Sequence, residues 1–380
     1  MKKEMIFTNG RIVTRGEVLT GTLRVAGGFI LAVDTGGSRV PSAVDLEGDY
    51  LFPGLVELHT DSLERHFVPR PGVRWPEIAA VISHDAAVAA AGITTVFDAV
   101  ALGDTKDNSD RTHELDGMVR SVKTARMQGL LRSEHFLHLR CEVCYPDVLS
   151  LFTCFNEDPL VRLVSLMDHT PGQRQFTHME KFFQYYKGKY TLNDAEMEDL
   201  VRSRKECQKK YSQAYREEIL GICRQRGLPV ASHDDTTPEH VEEAASAGIA
   251  ISEFPTTLQA ARAAREAWLV ILMGAPNMVL GRSHSGNVSA LELARVGLLD
   301  VLSSDYVPNS LLHGALLLHH ELEWSLPEAL EVVSANPARV ARLDDRGTIE
   351  EGKRADLIQV KDYERIPIIR GIWRAGQRVS

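Results

Sequence analysis

The chain has 380 residues, of which 44% are hydrophobic and 25% charged, a composition typical of folded globular proteins and unlike that of disordered chains. Its net charge of −9 argues against nucleic acid as a partner, because proteins that bind the phosphate backbone are usually basic. The five cysteines are an odd number, which indicates a reducing compartment rather than a disulfide framework. With no apolar run typical of a signal peptide or membrane span, we expect a cytoplasmic protein that does not bind membranes.

Both ends of the chain predict short strands. Residues 5–51 contain apolar runs broken by glycine turns, and the last segment, GTIEEGKRADLIQVKDYERIPIIRGIWRAGQRVS, has the same pattern. We therefore predict that residues 1–51 and 347–380 together form one small β-sandwich domain. The main domain then spans residues 52–346.

Between these ends, short apolar runs alternate with helix-forming segments. Eight repeats of strand and helix are typical of a parallel barrel, so we predict an α/β protein with a TIM-like (β/α)₈ barrel. The eight runs are LFPGLVELHTD, ITTVFDAV, HFLHLRCE, LVRLVSLMDH, LPVASHDD, IAISEFPTT, LVILMGAPN and VLSSDY.

Nearly all of the predicted strands finish on a titratable or polar residue. The strand ends of a parallel barrel share one rim, and the active sites of this fold lie at that C-terminal rim. We therefore expect the functional side chains there. The residues at these ends are His59, Asp61, Asp98, Glu142, Asp168, His169, His233, Glu253, Asn277 and Asp305.

One connection is unusually long. Residues 178–227 separate the fourth and fifth predicted strands and predict a helical insertion of two helices. An insertion on the rim could close over a substrate, but a solvated helical pair without a catalytic role explains its charge runs equally well.

Histidine and carboxylate side chains at the strand ends form a candidate metal site. His59 and Asp61 are two residues apart on the first barrel strand and so share a face, and Asp305 follows a run that should be buried. H-x-D pairs are common, however, and Glu142 could instead form a salt bridge with Arg140. The predicted ligands, which suit one or two Zn²⁺, Mn²⁺ or Fe²⁺ ions, are His59, Asp61, Glu142, His233, Glu253 and Asp305.

Longer blocks of sequence resemble a known family. PGLVELHTD, the NPAR of residues 336–339 and the GTIEEGKRADL of residues 347–357 are similar to the amidohydrolase superfamily. Seven further blocks resemble the diphosphatases of the carbon–phosphorus lyase pathway across nearly the whole chain. They are HTDSLERHFVPRPGVRW, SHDAAVAAAGITTVFDAVALGD, LVSLMDHTPGQRQF, ASHDDTTPEHV, EFPTT, MGAPNMVLGRSHSGNVSA and LLDVLSSDYVPNSLL.

The resemblance implies hydrolysis of α-D-ribose 1-methylphosphonate 5-triphosphate to the 5-phosphate and pyrophosphate, in phosphonate catabolism. It also implies functional partners in the same pathway. The sequence departs from the commoner superfamily pattern in three places: H-x-D replaces H-x-H, no lysine that could bridge two metals stands beside Asp168, and Glu253 stands where many relatives have histidine. The number of metal ions therefore stays open.

Hydrolysis of a phosphoanhydride needs a base for water and cationic groups for the phosphates. We expect Asp305 to act as the general base, with His169 or His233 orienting the water or assisting the leaving group. The backbone N–H groups of Gly286 and Asn287 precede a predicted helix and could hold a phosphate, although Ser-Gly-Asn is also an ordinary helix cap. The predicted cationic contacts, among which arginine can grip phosphate bidentately, are Arg140, Arg174, Lys187, Lys189 and Arg282.

Alternative interpretations stay open. Hydrolysis of a C–N bond, as in deacetylases, deaminases or cyclic amidases, would use a similar metal centre with different loops. A catalytically inactive barrel used only for binding is disfavoured by the intact set of predicted ligands. Cys141 and Cys144 form a C-x-x-C without a second pair, which we interpret as structural. The sequence leaves open whether the protein forms a homo-oligomer.

Overall fold

Strands form both ends of the chain and alternate with helices between them. The computed structural model describes residues 4–104, 110–176, 183, 193–283 and 286–380. The strands in these residues are β1 (Glu4–Val13), β2 (Val18–Ala26), β3 (Phe29–Thr35), β4 (Val44–Asp45), β5 (Tyr50–Pro53), β6 (Leu55–Thr60), β7 (Ile93–Leu102), β8 (Glu134–Glu142), β9 (Val161–Met167), β10 (Val230–His233), β11 (Ile251–Glu253), β12 (Val270–Gly274), β13 (Val301–Ser303), β14 (Leu357–Tyr363), β15 (Ile366–Arg374) and β16 (Gln377–Arg378).

The helices follow the barrel strands. A short 3₁₀ turn, Arg174–Phe176, comes after β9. None of the helices in the described ranges is long and apolar enough to cross a membrane. The α-helices are α1 (Ser62–Phe67), α2 (Glu77–Ala90), α3 (Asp110–Met127), α4 (Val148–Phe155), α5 (Asp194–Arg226), α6 (Pro238–Ser246), α7 (Leu258–Glu266), α8 (Ala275–Leu280), α9 (Ala290–Arg295), α10 (Ser310–Leu322), α11 (Leu326–Glu331) and α12 (Ala335–Val340).

The main sheet is a parallel barrel. Its eight strands follow one another in chain order from β6 to β13, and every neighbouring pair is parallel. The first and last strands meet through backbone hydrogen bonds of 3.1 Å, from Asp61 N to the Asp305 carbonyl and from Asp305 N to the His59 carbonyl. The predicted α/β barrel is therefore confirmed, and each of the eight predicted apolar runs contains one of its strands.

Two apolar layers show which side of each strand faces the barrel interior. The larger layer packs between the strands and the helices and includes Val96 and Leu137. Because successive side chains of a strand point to opposite faces, the residues two positions after an interior residue also face inward. The interior layer takes side chains from every barrel strand: Val56, Leu58, Phe97, Phe136, Leu163, Ala231, Ile251, Leu272 and Val301.

The two ends of the chain share one sheet. Its order is β16-β15-β14-β5-β1-β2-β3, with β4 paired to β1, and all of its pairs are antiparallel except those of β1 with β4 and β5. Phe7 and Trp373, from opposite ends of the chain, pack edge to face with ring centroids 4.9 Å apart. The prediction that the termini fold together is confirmed. The domain boundary at residue 51 stays a prediction, and residue 51 lies inside β5, a strand of this sheet.

A long helix lies within the predicted insertion. α5 is 33 residues long and begins at a capping box in which Asn193 accepts from Glu196 N. It ends at Gly227, whose φ of 65° suits the left-handed position that follows many helices. Residues 177–182 and 184–192, which belong to the same prediction of two helices, lie outside the described residues. The Ser212 hydroxyl of α5 lies 3.5 Å from Asp168 Oδ2, so the helix contacts the barrel beside the C-terminal rim.

Candidate active site

The residues at the barrel mouth continue the inward-facing side of the strands. On β8, His138, Arg140 and Glu142 have the same parity as the interior residue Phe136. The same parity brings His233 inward on β10, after Ala231, and Glu253 inward on β11, after Ile251. Strand geometry therefore concentrates these side chains in one space at the C-terminal end of the barrel.

Glu253 joins two histidines. Its carboxylate oxygens lie 2.7 Å from His59 Nδ1 and 2.6 Å from His233 Nδ1, and the side chain is fully buried. The two imidazole rings stack with centroids 5.9 Å apart. Burial alone would raise the pKa of Glu253, but attraction to His59 and His138 and the imidazole hydrogen bonds outweigh it and lower that pKa well below its usual value. The carboxylate is therefore ionised, as a metal ligand must be.

A second pairing lies beside the first. Glu142 Oε2 is 2.5 Å from His169 Nδ1, and Asp234 Oδ2 lies 3.4 Å from His233 Nε2 and 3.8 Å from His169 Nε2. Burial acts to lower the pKa of His169, but attraction to Glu142 outweighs it and raises that pKa. The alternative that Glu142 pairs with Arg140 is wrong in this structure, since His169 and the Cys144 thiol occupy its oxygens.

Asp61 and Asp305 lie where the first and last barrel strands meet. Both side chains are partly exposed, and Asp61 Oδ2 is 3.8 Å from a guanidinium nitrogen of Arg140. Burial and repulsion from Asp61 raise the pKa of Asp305 to about 7, against the attraction of Arg140 and His233. Two carboxylates and one arginine therefore share this side of the mouth.

Three rim residues have left-handed backbone conformations. Asp234, Phe254 and Asp305 have φ angles of 58°, 56° and 53°, and each follows a barrel strand within two residues. Residues other than glycine adopt this region at a cost of order 1–3 kcal/mol, and such positions cluster at functional sites. The strain is consistent with a mouth that is built to hold side chains in fixed positions.

We refer to His59, His169, His233, Asp234 and Glu253 as the mouth cluster. Within it, His169, His233 and Asp234 place one donor atom each within 4.8 Å of one another, and His59, Glu253 and the adjacent His138 do the same. Imidazole nitrogens with carboxylate oxygens suit Zn²⁺, Mn²⁺ or Fe²⁺. The donor set therefore fits a divalent cation. Glu142 contacts His169 of this cluster, and Asp61 lies beside Arg140 on the same rim, so Asp61, Glu142 and Asp305 stay predicted ligands.

A separate histidine and carboxylate group lies outside the barrel. Asp98 Oδ1 is 2.7 Å from His84 Nε2, Asp98 Oδ2 is 2.7 Å from His135 Nδ1, and His135 Nε2 is 3.3 Å from Asp85. We call these four fully buried residues the outer network. Asp98 was predicted to lie at a strand end on the rim, but β7 continues to Leu102, and Asp98 faces the helices because it follows the inward-facing Phe97.

The predicted phosphate contacts have different surroundings. Arg140 is buried at the mouth, and its Nε has no hydrogen-bond partner among the described residues. Arg174 is 3% exposed, and its guanidinium is paired with Asp235 and also donates to the Ser232 hydroxyl. This geometry favours a structural role for Arg174. Arg282 is exposed on its loop, and Lys187 and Lys189 lie outside the described residues.

The predicted backbone site at Gly286 and Asn287 precedes a short helix. The residue before α9 is its N-cap Ser289, whose hydroxyl accepts from Glu292 N in a complete capping box. The N-terminus of this six-residue helix is therefore satisfied by its own side chains. Val288 N donates to the Thr256 carbonyl at 3.0 Å, which places the loop on the rim beside the end of β11.

Sequence reasoning missed His138 and Asp234. It considered only the residues at strand ends, whereas His138 lies four residues before Glu142 and faces inward with it. Counting back in steps of two from Glu142 would have found it. Asp234 directly follows His233, and its left-handed conformation turns it toward the same ring, which no sequence pattern indicates.

A parallel barrel with imidazole and carboxylate donors at its C-terminal mouth defines the class of metal-dependent barrel enzymes. The sequence is 48% identical over 377 residues to the α-D-ribose 1-methylphosphonate 5-triphosphate diphosphatase of Escherichia coli strain K12, covering 99% of this chain and 100% of that protein. The profile of the Amidohydrolase family matches residues 195–379. The chain belongs to the amidohydrolase family, whose members are metal-dependent.

Solved structures share the fold at low sequence identity. A 5-methylcytosine deaminase from Klebsiella pneumoniae liganded with phosphonocytosine superposes with a TM-score of 0.67 at 16% identity, covering 100% of this chain and 98% of that one. A putative prolidase from Bifidobacterium longum gives a TM-score of 0.66 at 17% identity, covering 100% of this chain and 95% of that one. These similarities establish the architecture alone.

Proposed function

We propose that this protein hydrolyses α-D-ribose 1-methylphosphonate 5-triphosphate to α-D-ribose 1-methylphosphonate 5-phosphate and pyrophosphate, with the help of a divalent cation. The observation that carries the proposal is the 48% identity over 99% of the chain to the Escherichia coli diphosphatase of that name. The mouth cluster supplies the donors that such chemistry needs, and a buried arginine lies beside it.

The proposed cation site uses residues from both sides of the mouth. His59, His233 and Glu253 are already in mutual contact, and Asp61, Glu142 and Asp305 complete the proposed ligand set. When bound, the cation would neutralise phosphoryl oxygens and make water more acidic. Its identity, among Zn²⁺, Mn²⁺ and Fe²⁺, and the number of ions are open.

The carboxylate of Asp305 would accept the proton of the attacking water. Asp305 is partly exposed, and its backbone is held by hydrogen bonds to the segment that begins with the first barrel strand. His169, 18% exposed and paired with Glu142, would orient the water or donate a proton to the leaving pyrophosphate, and His233 is the alternative donor. In this reaction the α–β anhydride P–O bond breaks, and the elements of water are divided between the two products.

Arg140 would bind the polyphosphate. Its Nε has no partner in the described part of the chain, and a buried unsatisfied donor is costly unless a ligand completes it. A guanidinium offers paired donors that match phosphate oxygens. Arg282, Gly286 and Asn287 on the rim loop stay predictions for the outer phosphates, as do Lys187 and Lys189.

The test compares products and substrate classes. Protein loaded separately with Zn²⁺ and Mn²⁺ is incubated with the ribosyl triphosphate, with ATP, and with C–N substrates such as an N-acetyl sugar and dihydrouracil. We expect pyrophosphate and the 5-phosphate in equal amounts, without orthophosphate. Faster turnover of a C–N substrate than of the triphosphate would overturn the proposal in favour of the amide-cleaving alternative.

A further inference from the structure

The strand that carries His59 is irregular just before that residue. Val56 and Leu58 face the barrel interior, so His59 would face the helices in a regular strand. Its ring instead contacts Glu253 and His138 at the mouth. The register explains the change, because Glu57 pairs with Val96 and Thr60 pairs with Asp98, so β6 has two residues between these pairs where β7 has one. β6 thus contains a β-bulge, which re-aims the side chain that follows it.

Two side chains satisfy the backbone of this bulge. Glu57 Oε1 accepts from His59 N at 2.7 Å, and His138 Nδ1 lies 3.0 Å from the Leu58 carbonyl. Both side chains are fully buried. A buried backbone group without a hydrogen-bond partner is destabilising, so the bulge depends on these two contacts.

Glu57 also connects the first barrel strand to the last. Its other oxygen, Oε2, accepts from Ser304 N at 2.5 Å, directly before Asp305. The Ser303 hydroxyl donates to the His59 carbonyl at 2.5 Å. One carboxylate therefore holds the backbone of His59 and the segment that carries Asp305 in a fixed position relative to each other.

Hydrogen bonding fixes the role of both ring nitrogens of His138. A carbonyl can only accept, so His138 Nδ1 must donate to Leu58, which leaves Nε2 to accept from the Ser165 hydroxyl at 2.8 Å. Both ring nitrogens of His138 therefore have hydrogen-bond partners, although one of them lies within 4.8 Å of donor atoms of His59 and Glu253. It orients the neighbours of the cation site instead of binding the cation.

We propose that Glu57 and His138 are positioning residues, which hold the bulge of β6 and thereby aim His59 into the cation site. The inference rests on the proposed function, because it assumes that His59 is a metal ligand. Loss of residues that orient metal ligands typically weakens metal affinity by about 10- to 100-fold.

The first experiment measures the Zn²⁺ affinity of the full-length protein by competition with a chromophoric chelator. Glu57→Gln should weaken it by about 10- to 100-fold, because the amide nitrogen cannot accept from the second backbone N–H. Asp85→Asn is the matched control. Asp85 is also a buried carboxylate that accepts from two backbone amides, Arg132 N and Ser133 N at 2.9 Å, but it lies outside the mouth. The Zn²⁺ affinity of the Asp85→Asn protein should stay within about threefold of wild type.

A second pair of variants tests the same idea without touching Glu57. His138→Leu removes the donor to Leu58 and should weaken Zn²⁺ binding to a similar extent. His138→Asn keeps an N–H donor near the position of Nδ1 and should restore most of the affinity. If His138 only filled space, the two variants would not differ in Zn²⁺ affinity in this way.

The outcomes separate this inference from the proposed function. If wild-type protein binds none of Zn²⁺, Mn²⁺ and Fe²⁺, the metal site and the inference both fail. If wild type binds Zn²⁺ and folded Glu57→Gln binds it equally well, the inference alone is wrong. Should Glu57→Gln not fold, the His138 pair decides: equal affinities for His138→Leu and His138→Asn would overturn the inference.

Discussion

Two groups of histidines and carboxylates, one at the barrel mouth and one on the outer side of the strands, look alike in donor spacing. In both the mouth cluster and the outer network, three donor atoms lie within 4.8 Å of one another. In the outer network, Asp98 divides its oxygens between two histidines, and all four members are fully buried. The mouth cluster instead borders the partly exposed Asp61 and Asp305 and a buried arginine whose Nε lacks a partner among the described residues.

The difference shows that donor spacing alone does not define a reaction centre. A closed network in which each charge already has a partner stabilises the fold, and nothing in its geometry calls for a ligand. A site for substrate needs access and groups that only a ligand completes. On these criteria the mouth cluster is the site, and the outer network supports the wall behind it.

The largest expected effect is at Asp305. Asp305→Asn removes the proposed general base, so kcat should fall by about 10²- to 10⁴-fold. Steady-state kinetics of pyrophosphate release measures this loss, and circular dichroism serves as the control for folding. A folded variant with undiminished turnover would remove Asp305 from the mechanism.

The outer network should respond in the opposite way. Asp98→Asn leaves the buried cation His135 with a weaker partner, and breaking a buried ion pair typically costs about 3–5 kcal/mol. Urea unfolding should show this destabilisation, while Zn²⁺ stoichiometry and the turnover of folded protein stay close to wild type. Loss of one equivalent of Zn²⁺ would mean that the outer network is itself a metal site.

Substitutions of Arg140 and Arg174 test which of these two arginines binds the substrate and which stabilises the fold. Arg140→Ala should lower kcat/KM for the triphosphate by about 10²- to 10³-fold, because it removes donors to a charged group that reacts. Arg174→Ala should mainly lower stability, since its guanidinium is paired with Asp235. Steady-state pyrophosphate release gives kcat/KM for both variants, and urea unfolding gives their unfolding free energies. A greater loss of kcat/KM for Arg174→Ala would reverse these roles.

The smallest effect concerns pH. Burial alone would lower the pKa of His135, but Asp98 and Asp85 raise it from 6.5 to about 9. Because the folded state holds this proton more tightly, the stabilisation is complete below pH 6.5 and is lost as pH rises toward 9. The loss should reach up to about 3 kcal/mol in unfolding free energy. His135→Gln should flatten the profile over this range, and an unchanged slope would contradict the assignment.

The fold could be predicted because it depends on local patterns. Each of the eight runs is apolar enough to be buried on both faces, and His59, His233 and Glu253 could be placed on the rim from the ends of their strands. What could not be predicted depends on contacts between distant segments. The bulge of β6 arises from Glu57 and His138, and Asp235 pairs with Arg174 across two loops.

Strand parity explains the remaining errors. Asp98 is expected at the rim because it lies near the end of its apolar run, but β7 continues to Leu102 and that residue faces outward. A shift of one residue moves a side chain to the other face of a strand. Single-sequence reasoning finds strands more reliably than it finds their ends, and site residues are defined by those ends.

Removal and return of the cation tests the central claim most directly. Pyrophosphate release from the ribosyl triphosphate is followed in protein treated with a chelator, and again after addition of Zn²⁺ or Mn²⁺. The account predicts that turnover disappears on chelation and returns with the cation in wild type and in Asp98→Asn, but does not return in Glu253→Gln. Turnover that is untouched by chelation, or that Glu253→Gln recovers fully, would contradict it.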